Sequence, residues 1–254
     1  MAELSTVLLS LAKPIVKKST DIIWENRNYL TLYFKTNFLK YRNLDIRFSI
    51  SGLYKIQIPN TNKYLLVLNR RIANQLQPVG GVYKRWGDDS LFNKWGYKPD
   101  NISNGLDIDK KSINDLRFMV KGKNVLDVIN WFEGNSERES DLKREFSEEL
   151  LETRILDSKI FSIINHKHIR RYSKSLCWSD YFNCYEILIY DIFELLPNEK
   201  QKKELIKLSK QKMDLSNKYA IVTCDDIEQL RLMENNIQIA RIGQHTKLVI
   251  NKNF

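Results

Sequence analysis

The stretch "LKREFSEELLE", residues 142–152, combines closely spaced carboxylates with regularly spaced apolar side chains. Glu145, Glu148 and Glu149 stand at positions i, i+3 and i+4, so on a helix their carboxylates converge on one side. Every fourth residue from Leu142 is apolar, which predicts an adjacent stripe that anchors the helix in a core. The stretch is therefore predicted to be an amphipathic helix with one acidic face.

This acidic face has two interpretations. Three like charges this close repel one another, and a hard divalent cation such as magnesium or manganese would neutralise them through oxygen ligation. An ordinary solvated helix face, with ion pairs between residues four apart, needs no metal. The spacing alone leaves both interpretations open.

A pair of glycines, Gly80 and Gly81, lies upstream in "PVGGVY", residues 78–83. Glycine permits backbone conformations and close approaches that a side chain would block. "PVGGVY" resembles the Gly-Gly strand end that precedes the Nudix box, and "REFSEE" at residues 144–149 resembles the second half of that box. The order of the two elements, followed by further strands, is typical of the Nudix superfamily.

The resemblance includes departures from the usual Nudix pattern. A usual box has a glycine where Leu151 stands, and a glutamate where Ser136 stands with Glu137 beside it. About fifty residues separate Gly81 from the carboxylate helix, whereas the usual box starts close to the glycines. The loop before the helix is therefore expected to be remodelled.

A longer set of segments is similar to the SMODS-associated NUDIX domain, over about Asp45 to Ile250. The segments are "DIRFSISGLYKI" (45–56), "KYLLVLN" (63–69), "LQPVGGVYK" (76–84), "LKREFSEEL" (142–150) and "IGQHTKLVI" (242–250). That family occurs beside cyclic-oligonucleotide synthases in bacterial CBASS antiphage systems. The resemblance implies a nucleotide or cyclic-oligonucleotide ligand and a role in antiviral defence.

The resemblance also implies a metal site. Glu145, Glu148 and Glu149 are expected to bind one or more Mg²⁺ ions, or Mn²⁺, and one of them to act as general base as well. Arg144 is expected to support catalysis by orienting a glutamate. The backbone at Gly81 is expected to lie close to the metal.

The residues expected to bind the ligand are Gly80, Gly81, Lys84, Arg85, Trp86 and His245. Lys84 and Arg85 could contact phosphates, and Trp86 could stack on a base, because it stands in a polar loop after the glycines. His245 belongs to the terminal motif of the resembled family, with a role in ligand contact or local structure.

Other basic and histidine residues have less specific interpretations. Arg170, Arg171 and Lys174 could meet phosphates or form an ordinary solvated surface. His166 and His168 would point to the same side of a strand, but a zinc pair there lacks a third ligand nearby.

The composition bounds the class of protein. Lys and Arg number 41 against 31 Asp and Glu, giving a net charge of +10 that favours anionic partners. The three cysteines form no CxxC pair, which indicates a reducing, cytoplasmic setting. No apolar run is long enough for a membrane span, although an amphipathic N-terminal helix could attach to a membrane surface.

The predicted fold class is α+β: a Nudix-like α/β/α sandwich with a mixed sheet, preceded by an N-terminal helical extension. Residues 1–44 are predicted to form the extension and residues 45–254 the Nudix-like domain, with a long insertion at about 84–130. The N-terminal helices could serve in partner docking or homo-oligomerisation.

Residue periodicity predicts the individual elements. Helices are predicted from about Ser5 to Arg42 and over the basic segment 198–212. Alternating residues predict a β-hairpin that joins 46–58 to 63–69. Other predicted strands lie within 114–122, 155–169, 181–195 and 246–251, and 219–232 is predicted to hold a strand and an Asp-capped helix.

The leading functional hypothesis is a magnesium-dependent hydrolase of a nucleoside diphosphate-linked substrate. The alternative is a non-catalytic Nudix scaffold that senses a cyclic oligonucleotide or other nucleotide. The altered box and the positive charge motivate the alternative.

Overall fold

The computed structural model describes residues 29–100, 114–134 and 136–253. The helices are α1 (Leu30–Phe38), α2 (Ser90–Lys94), α3 (Val125–Glu133), α4 (Lys143–Phe146), α5 (Glu199–Ser209) and α6 (Cys224–Gln229). The strands are β1 (Asp45–Lys55), β2 (Lys63–Leu68), β3 (Gln75–Gln77), β4 (Gly80–Val82), β5 (Lys98–Pro99), β6 (Arg117–Lys121), β7 (His166–Ser179), β8 (Cys184–Leu195), β9 (Tyr219–Thr223), β10 (Arg231–Glu234) and β11 (Ile237–Ile242). Helices and mixed sheets together confirm the predicted α+β class.

The strands form two mixed sheets. The first has the order β5-β6-β1-β8-β7, and β4 also pairs with β1. The second has the order β10-β11-β3-β2-β9. In the first sheet β1 runs parallel to β8 and antiparallel to β4 and β6, and in the second sheet β3 runs parallel to β11.

Strand β1 lies within the first sheet, between β6 and β8, and every residue from Ile46 to Tyr54 is buried. Ile46 and Phe48 pack in the larger hydrophobic core, which also receives α3, α4 and α5. Leu53, on the opposite face, packs in a second core with residues of the second sheet and α6. The sheet is thus covered on both faces, as in a layered α/β fold.

Helix α4 carries the opening stretch and continues as one π-type turn, Ser147–Leu151. Leu142, Phe146 and Leu150 are all buried in the larger core. The predicted apolar stripe is therefore confirmed.

The predicted hairpin between β1 and β2 is only partly correct. The turn forms, with a hydrogen bond of 2.9 Å from the Ile58 backbone N–H to the Lys63 carbonyl. The two strands nevertheless belong to different sheets, because β1 pairs with β4, β6 and β8 along its length. Alternating apolar residues correctly predict that both segments are strands. They do not predict the partners of β1, which come from distant parts of the chain.

One predicted strand, within 155–169, was only partly correct, and the terminal predicted strand, 246–251, was wrong. Residues 155–165 form turns, and β7 begins only at His166. The Gln201 side-chain amide of α5 donates hydrogen bonds to the carbonyls of Ile160 and Ile163 in these turns, at 3.2 and 2.8 Å. These two carbonyls therefore have hydrogen-bond partners without a neighbouring strand. The terminal segment forms a 3₁₀ helix, Gln244–Ile250, in place of a strand.

The helices agree more closely with prediction. Helix α5 begins after a capping box of Asn198 and Gln201. The N-cap of α6 is Thr223, which corrects the expected Asp cap, although Asp226 completes that capping box. None of the helices within the described ranges has the length and apolar character needed to cross a bilayer.

The N-terminal prediction is met in part, since α1 forms and the predicted helix over residues 5–28 lies outside the described residues. Of the segment 84–130, residues 101–113 also lie outside the description. Strand β6 within that segment pairs with β1 from Arg117 to Lys121.

Candidate functional site

A cleft of ≈ 580 Å³ lies between the α4 segment, the glycine strand β4 and the cleft-facing side of β1 and β8. The π-type turn after α4 places Glu148 and Glu149 on the same wall as Glu145. Turns of this kind are frequent at functional sites. The structure therefore brings together the three carboxylates that the sequence pattern singled out.

Glu149 lies deepest in this wall, with 8% of the residue exposed. Its Oε2 atom accepts a hydrogen bond of 3.0 Å from the Gly80 backbone N–H. Burial raises the pKa of Glu149 to about 7, and the charges of Glu145 and Glu148 add to the effect. The carboxyl group is therefore partly protonated at neutral pH in the absence of a cation.

Glu145 lies directly against the backbone of Gly81. A Cβ atom at residue 81 would lie 2.3 Å from Glu145 Oε1, which is closer than contact allows. Burial raises the pKa of Glu145, although the charge of Arg144 opposes this. Glycine at position 81 thus creates the space that the carboxylate fills.

The second glycine has a different role. Gly80 has a φ of +148°, and a Cβ atom there would lie 2.2 Å from the Gly52 carbonyl oxygen. Only glycine fits this close approach of β4 to β1. In this position the Gly80 N–H points at the Glu149 carboxylate and donates to it.

Arg144 links the carboxylates to the loop before the helix. Its Nε and Nη2 atoms donate to the two oxygens of Glu139 at 2.7 and 2.9 Å. Its Nη2 atom also lies 2.8 Å from Glu145 Oε1, and its Nη1 atom 3.5 Å from Glu148 Oε1. Glu139 in turn accepts a hydrogen bond from the Lys84 backbone N–H at 2.8 Å. The arginine therefore sits among three carboxylates and neutralises part of their charge.

Glu139 was missed by the sequence patterns. The usual box glutamate corresponds to Ser136, and Ser136 and Glu137 are both exposed. The Glu137 carboxyl group lies beside Gly87, since a Cβ added there would lie 3.1 Å from Glu137 Cδ. The glutamate that pairs with Arg144 is instead Glu139, three positions after Ser136. The only sequence signal for this role was the presence of another carboxylate in the loop before α4.

Among the expected ligand residues, Gly80, Gly81, Lys84 and His245 line the cleft. Tyr190 of β8 also lines it, with its ring parallel to the imidazole of His245 at a centroid distance of 6.1 Å. Burial lowers the pKa of His245 to about 4, so the imidazole is neutral at pH 7. His245 is thus suited to hydrogen bonding or stacking, and it adds no charge to the cleft.

Arg85 and Trp86, which were also expected to bind the ligand, do not line the cleft. Arg85 points away from Lys84, as successive residues of an extended chain do. It is buried over the ring of Phe92, at 4.1 Å, and forms an ion pair with Asp89. Trp86 is 55% exposed and lies outside the cleft.

The other basic and histidine residues considered from the sequence also lie outside the cleft. Arg171 forms a two-pronged ion pair with Asp191 at 2.7 and 3.0 Å, and His168 Nε2 lies 3.2 Å from the same carboxylate. Arg170 donates to the Leu248 carbonyl at 2.9 Å, and His166 Nδ1 lies 2.9 Å from the Tyr54 hydroxyl. These four side chains serve packing and hydrogen bonding within the fold.

The donor chemistry of the wall fits a hard divalent cation, because carboxylate oxygens are the ligands that Mg²⁺ prefers. Two of these carboxylates are desolvated, with raised pKa values, and a nearby cation would lower them. In the described residues, no group of three or more His, Cys, Asp or Glu side chains is positioned to hold a metal as it stands. Arg144 occupies the position of a counter-ion beside Glu145 and Glu148.

A short helix and π-type turn with three glutamates, packed against a Gly-Gly strand in the wall of a cleft, are typical of a Nudix-type domain. The sequence profile of the SMODS-associated NUDIX domain matches residues 45–250, and the chain belongs to this family. No curated protein and no solved structure gives a significant match.

Proposed function

We propose that this protein is a divalent-metal-dependent hydrolase of a nucleoside diphosphate-linked compound. The observation that carries the proposal is the pair of desolvated carboxylates, Glu145 and Glu149, packed against the glycine strand of a polar cleft. Charges are buried at a cost unless a partner compensates them, and such perturbed groups cluster at functional sites. Bound Mg²⁺ would supply both charge neutralisation for phosphate oxygens and activation of water.

The chain's own groups have distinct parts in this proposal. Glu145, Glu148 and Glu149 would hold the metal, and one of them would also act as general base on water. Arg144 would keep Glu145 oriented through its own anchor on Glu139. The Gly81 backbone and Lys84 would face the phosphates, and His245 with Tyr190 would face the nucleoside.

The family assignment supports a setting for this activity. An SMODS-associated domain is expected to act beside a cyclic-oligonucleotide synthase, in a nucleotide-signalling antiphage system of the CBASS type. The setting would be the cytoplasm, where the three unpaired cysteines remain reduced.

A second candidate function is a sensor that binds a cyclic oligonucleotide without cleaving it. Its support is the state of the carboxylate wall, where Arg144 already offsets part of the charge of Glu145 and Glu148. An internal counter-ion of this kind reduces the repulsion that an anionic ligand would meet without metal. Tight binding of a cyclic di- or trinucleotide in calorimetry, with the ligand recovered intact, would favour the sensor.

Hydrolysis is tested with a panel of NAD, ADP-ribose, nucleotide sugars and dinucleotides, incubated with the purified protein with and without Mg²⁺. We expect magnesium-dependent release of a nucleoside monophosphate from at least one compound. Glu148→Gln should lower the rate by about 100-fold or more. Glu152→Gln is the matched control, because Glu152 is exposed at the end of the same stretch and outside the cleft. Absence of turnover for every compound would reject the hydrolase.

A further inference from the structure

The loop that joins β2 to β3 brings two arginines to the rim of the cleft. Arg70 and Arg71 are both exposed and both line the cleft. Arg70 Nη2 donates a hydrogen bond of 2.7 Å to the backbone carbonyl of Glu148, so it lies against the carboxylate segment. Within the described residues, neither guanidinium forms an ion pair with a carboxylate.

The other arginines of the cleft have their charge compensated. Arg117 Nη2 lies 2.6 Å from Asp115 Oδ2, at the side of the cleft formed by β6. Arg144 is held by Glu139 and lies beside two cleft glutamates. The positive charge of the Arg70–Arg71 loop is therefore available to a ligand.

The loop is held in place by Asn69. Its Oδ1 atom accepts hydrogen bonds from the backbone N–H groups of Arg71 and Ile72, at 2.7 and 2.9 Å. Its Nδ2 atom donates to Gln77 Oε1 at 2.6 Å, which fixes the loop to β3. Holding the loop backbone in advance reduces the entropy lost when a ligand binds.

The position of the loop complements a diphosphate. The hydrogen bond of Arg70 to the Glu148 carbonyl places its guanidinium beside the carboxylate wall. Arg70 and Arg71 line the same cleft as the carboxylate wall, so a diphosphate in this cleft would lie within reach of both guanidinium groups. Guanidinium groups match phosphate oxygens with paired donors, and arginine is weakly hydrated compared with lysine.

We propose that Arg70 and Arg71 form a phosphate-binding subsite that recognises the diphosphate group of the ligand. This subsite belongs to the cleft of the proposed function, and it rests on that function in one respect: the ligand contains a diphosphate. It holds equally for a ligand that is cleaved and for one that is only bound.

The experiment measures binding of inorganic pyrophosphate, ADP and adenosine to the full chain by calorimetry, with and without Mg²⁺. We expect the wild type to bind ADP and pyrophosphate. Arg71→Ala should weaken both by about tenfold, and the double Arg70→Ala/Arg71→Ala variant by more. Adenosine, which carries no phosphate, should bind the wild type and the variants equally.

Two control variants separate recognition from net charge. Arg231→Ala removes one positive charge from an exposed arginine outside the cleft and should leave ADP binding unchanged. Arg71→Lys keeps the charge without the paired donors and should recover only part of the affinity. Circular dichroism and melting curves that match those of the wild type would show that the variants fold.

The outcomes distinguish this proposal from the one before it. Wild-type ADP binding that depends on Arg70 and Arg71, without turnover of any compound, would support the subsite and reject hydrolysis. Turnover with the same kcat/KM in the wild type and the double variant would support hydrolysis and overturn the subsite. Failure of the wild type to bind either pyrophosphate or ADP would also overturn the subsite.

Discussion

At the scale of single residues, the environment separates three glutamates that the sequence presents as equivalent. Glu145, Glu148 and Glu149 share one helical face in the sequence pattern. In the structure Glu149 is buried on the Gly80 N–H, Glu145 fills the space at Gly81, and Glu148 is the more exposed partner of Arg144. Spacing predicted their convergence, whereas burial, which decides their acidity, depends on the strand opposite.

The raised pKa of Glu149 predicts a pH dependence of stability. The folded-state pKa, about 7, lies above the ordinary value of 4.5, so between these pH values the folded protein keeps a proton that the unfolded chain loses. The contribution of Glu149 to the free energy of unfolding is therefore fully present below pH 4.5 and is lost as the pH rises through 7. In metal-free buffer, Glu149→Gln should lack this loss, and the stability of the variant relative to wild type should rise by about 2 kcal/mol from pH 5 to pH 8.

Urea denaturation of both proteins at the two pH values measures this difference. Glu152→Gln, at an exposed position, serves as the control and should follow the wild type at both pH values. An equal gap between wild type and Glu149→Gln at pH 5 and pH 8 would show that Glu149 has an ordinary pKa.

At the scale of elements, the loop before α4 retains a glutamate for Arg144 at a shifted position. The sequence departures at Ser136 and Leu151 predicted remodelling but could not identify the replacement. Glu139 lies five residues before Arg144, a spacing that corresponds to no helical or strand period. Only the folded loop brings the two groups together.

Glu139→Gln should therefore impair the site, while Glu137→Gln, two residues away, should not. Loss of the two-pronged charge-assisted pair frees Arg144 to move onto Glu145 and Glu148, and it should cost about 1–3 kcal/mol of stability. Mn²⁺ affinity and urea denaturation measure the two effects. Equal behaviour of the two variants would contradict the positioning role of Glu139.

Some helices and strands could be predicted from sequence periodicity and others could not. Helix α5 and strand β8 follow directly from their residue patterns and local caps. The apolar residues Ile155, Leu156 and Phe161 gave a strand-like pattern, but they are buried from a series of turns. Burial can be satisfied by several backbone conformations, and a pattern of apolar residues does not select among them. For the same reason the pairing of β1 with β8, more than a hundred residues away, was not predictable.

At the scale of the whole molecule, α1 packs on the Nudix-like domain. Leu32 is 6% exposed in the larger core, and the Tyr29 hydroxyl donates to Glu133 of α3 at 2.5 Å. Leu32→Ala should lower the free energy of unfolding by about 2–3 kcal/mol. Phe34→Ala, at a residue that is 52% exposed, should change it by less than about 0.5 kcal/mol.

Urea denaturation of the two variants measures this difference. Equal stabilities for Leu32→Ala and the wild type would show that α1 is not part of the cooperative core.

The central claim for the molecule is that the cleft between α4, β4 and the first sheet binds a divalent metal. The most direct measurement is anomalous diffraction from crystals soaked in manganese, recorded near the manganese edge. We predict a peak in contact with carboxylate oxygens of Glu145, Glu148 and Glu149, with Arg144 withdrawn from at least one of them. No peak in the cleft at saturating manganese, with Arg144 still beside Glu145 and Glu148, would contradict the claim.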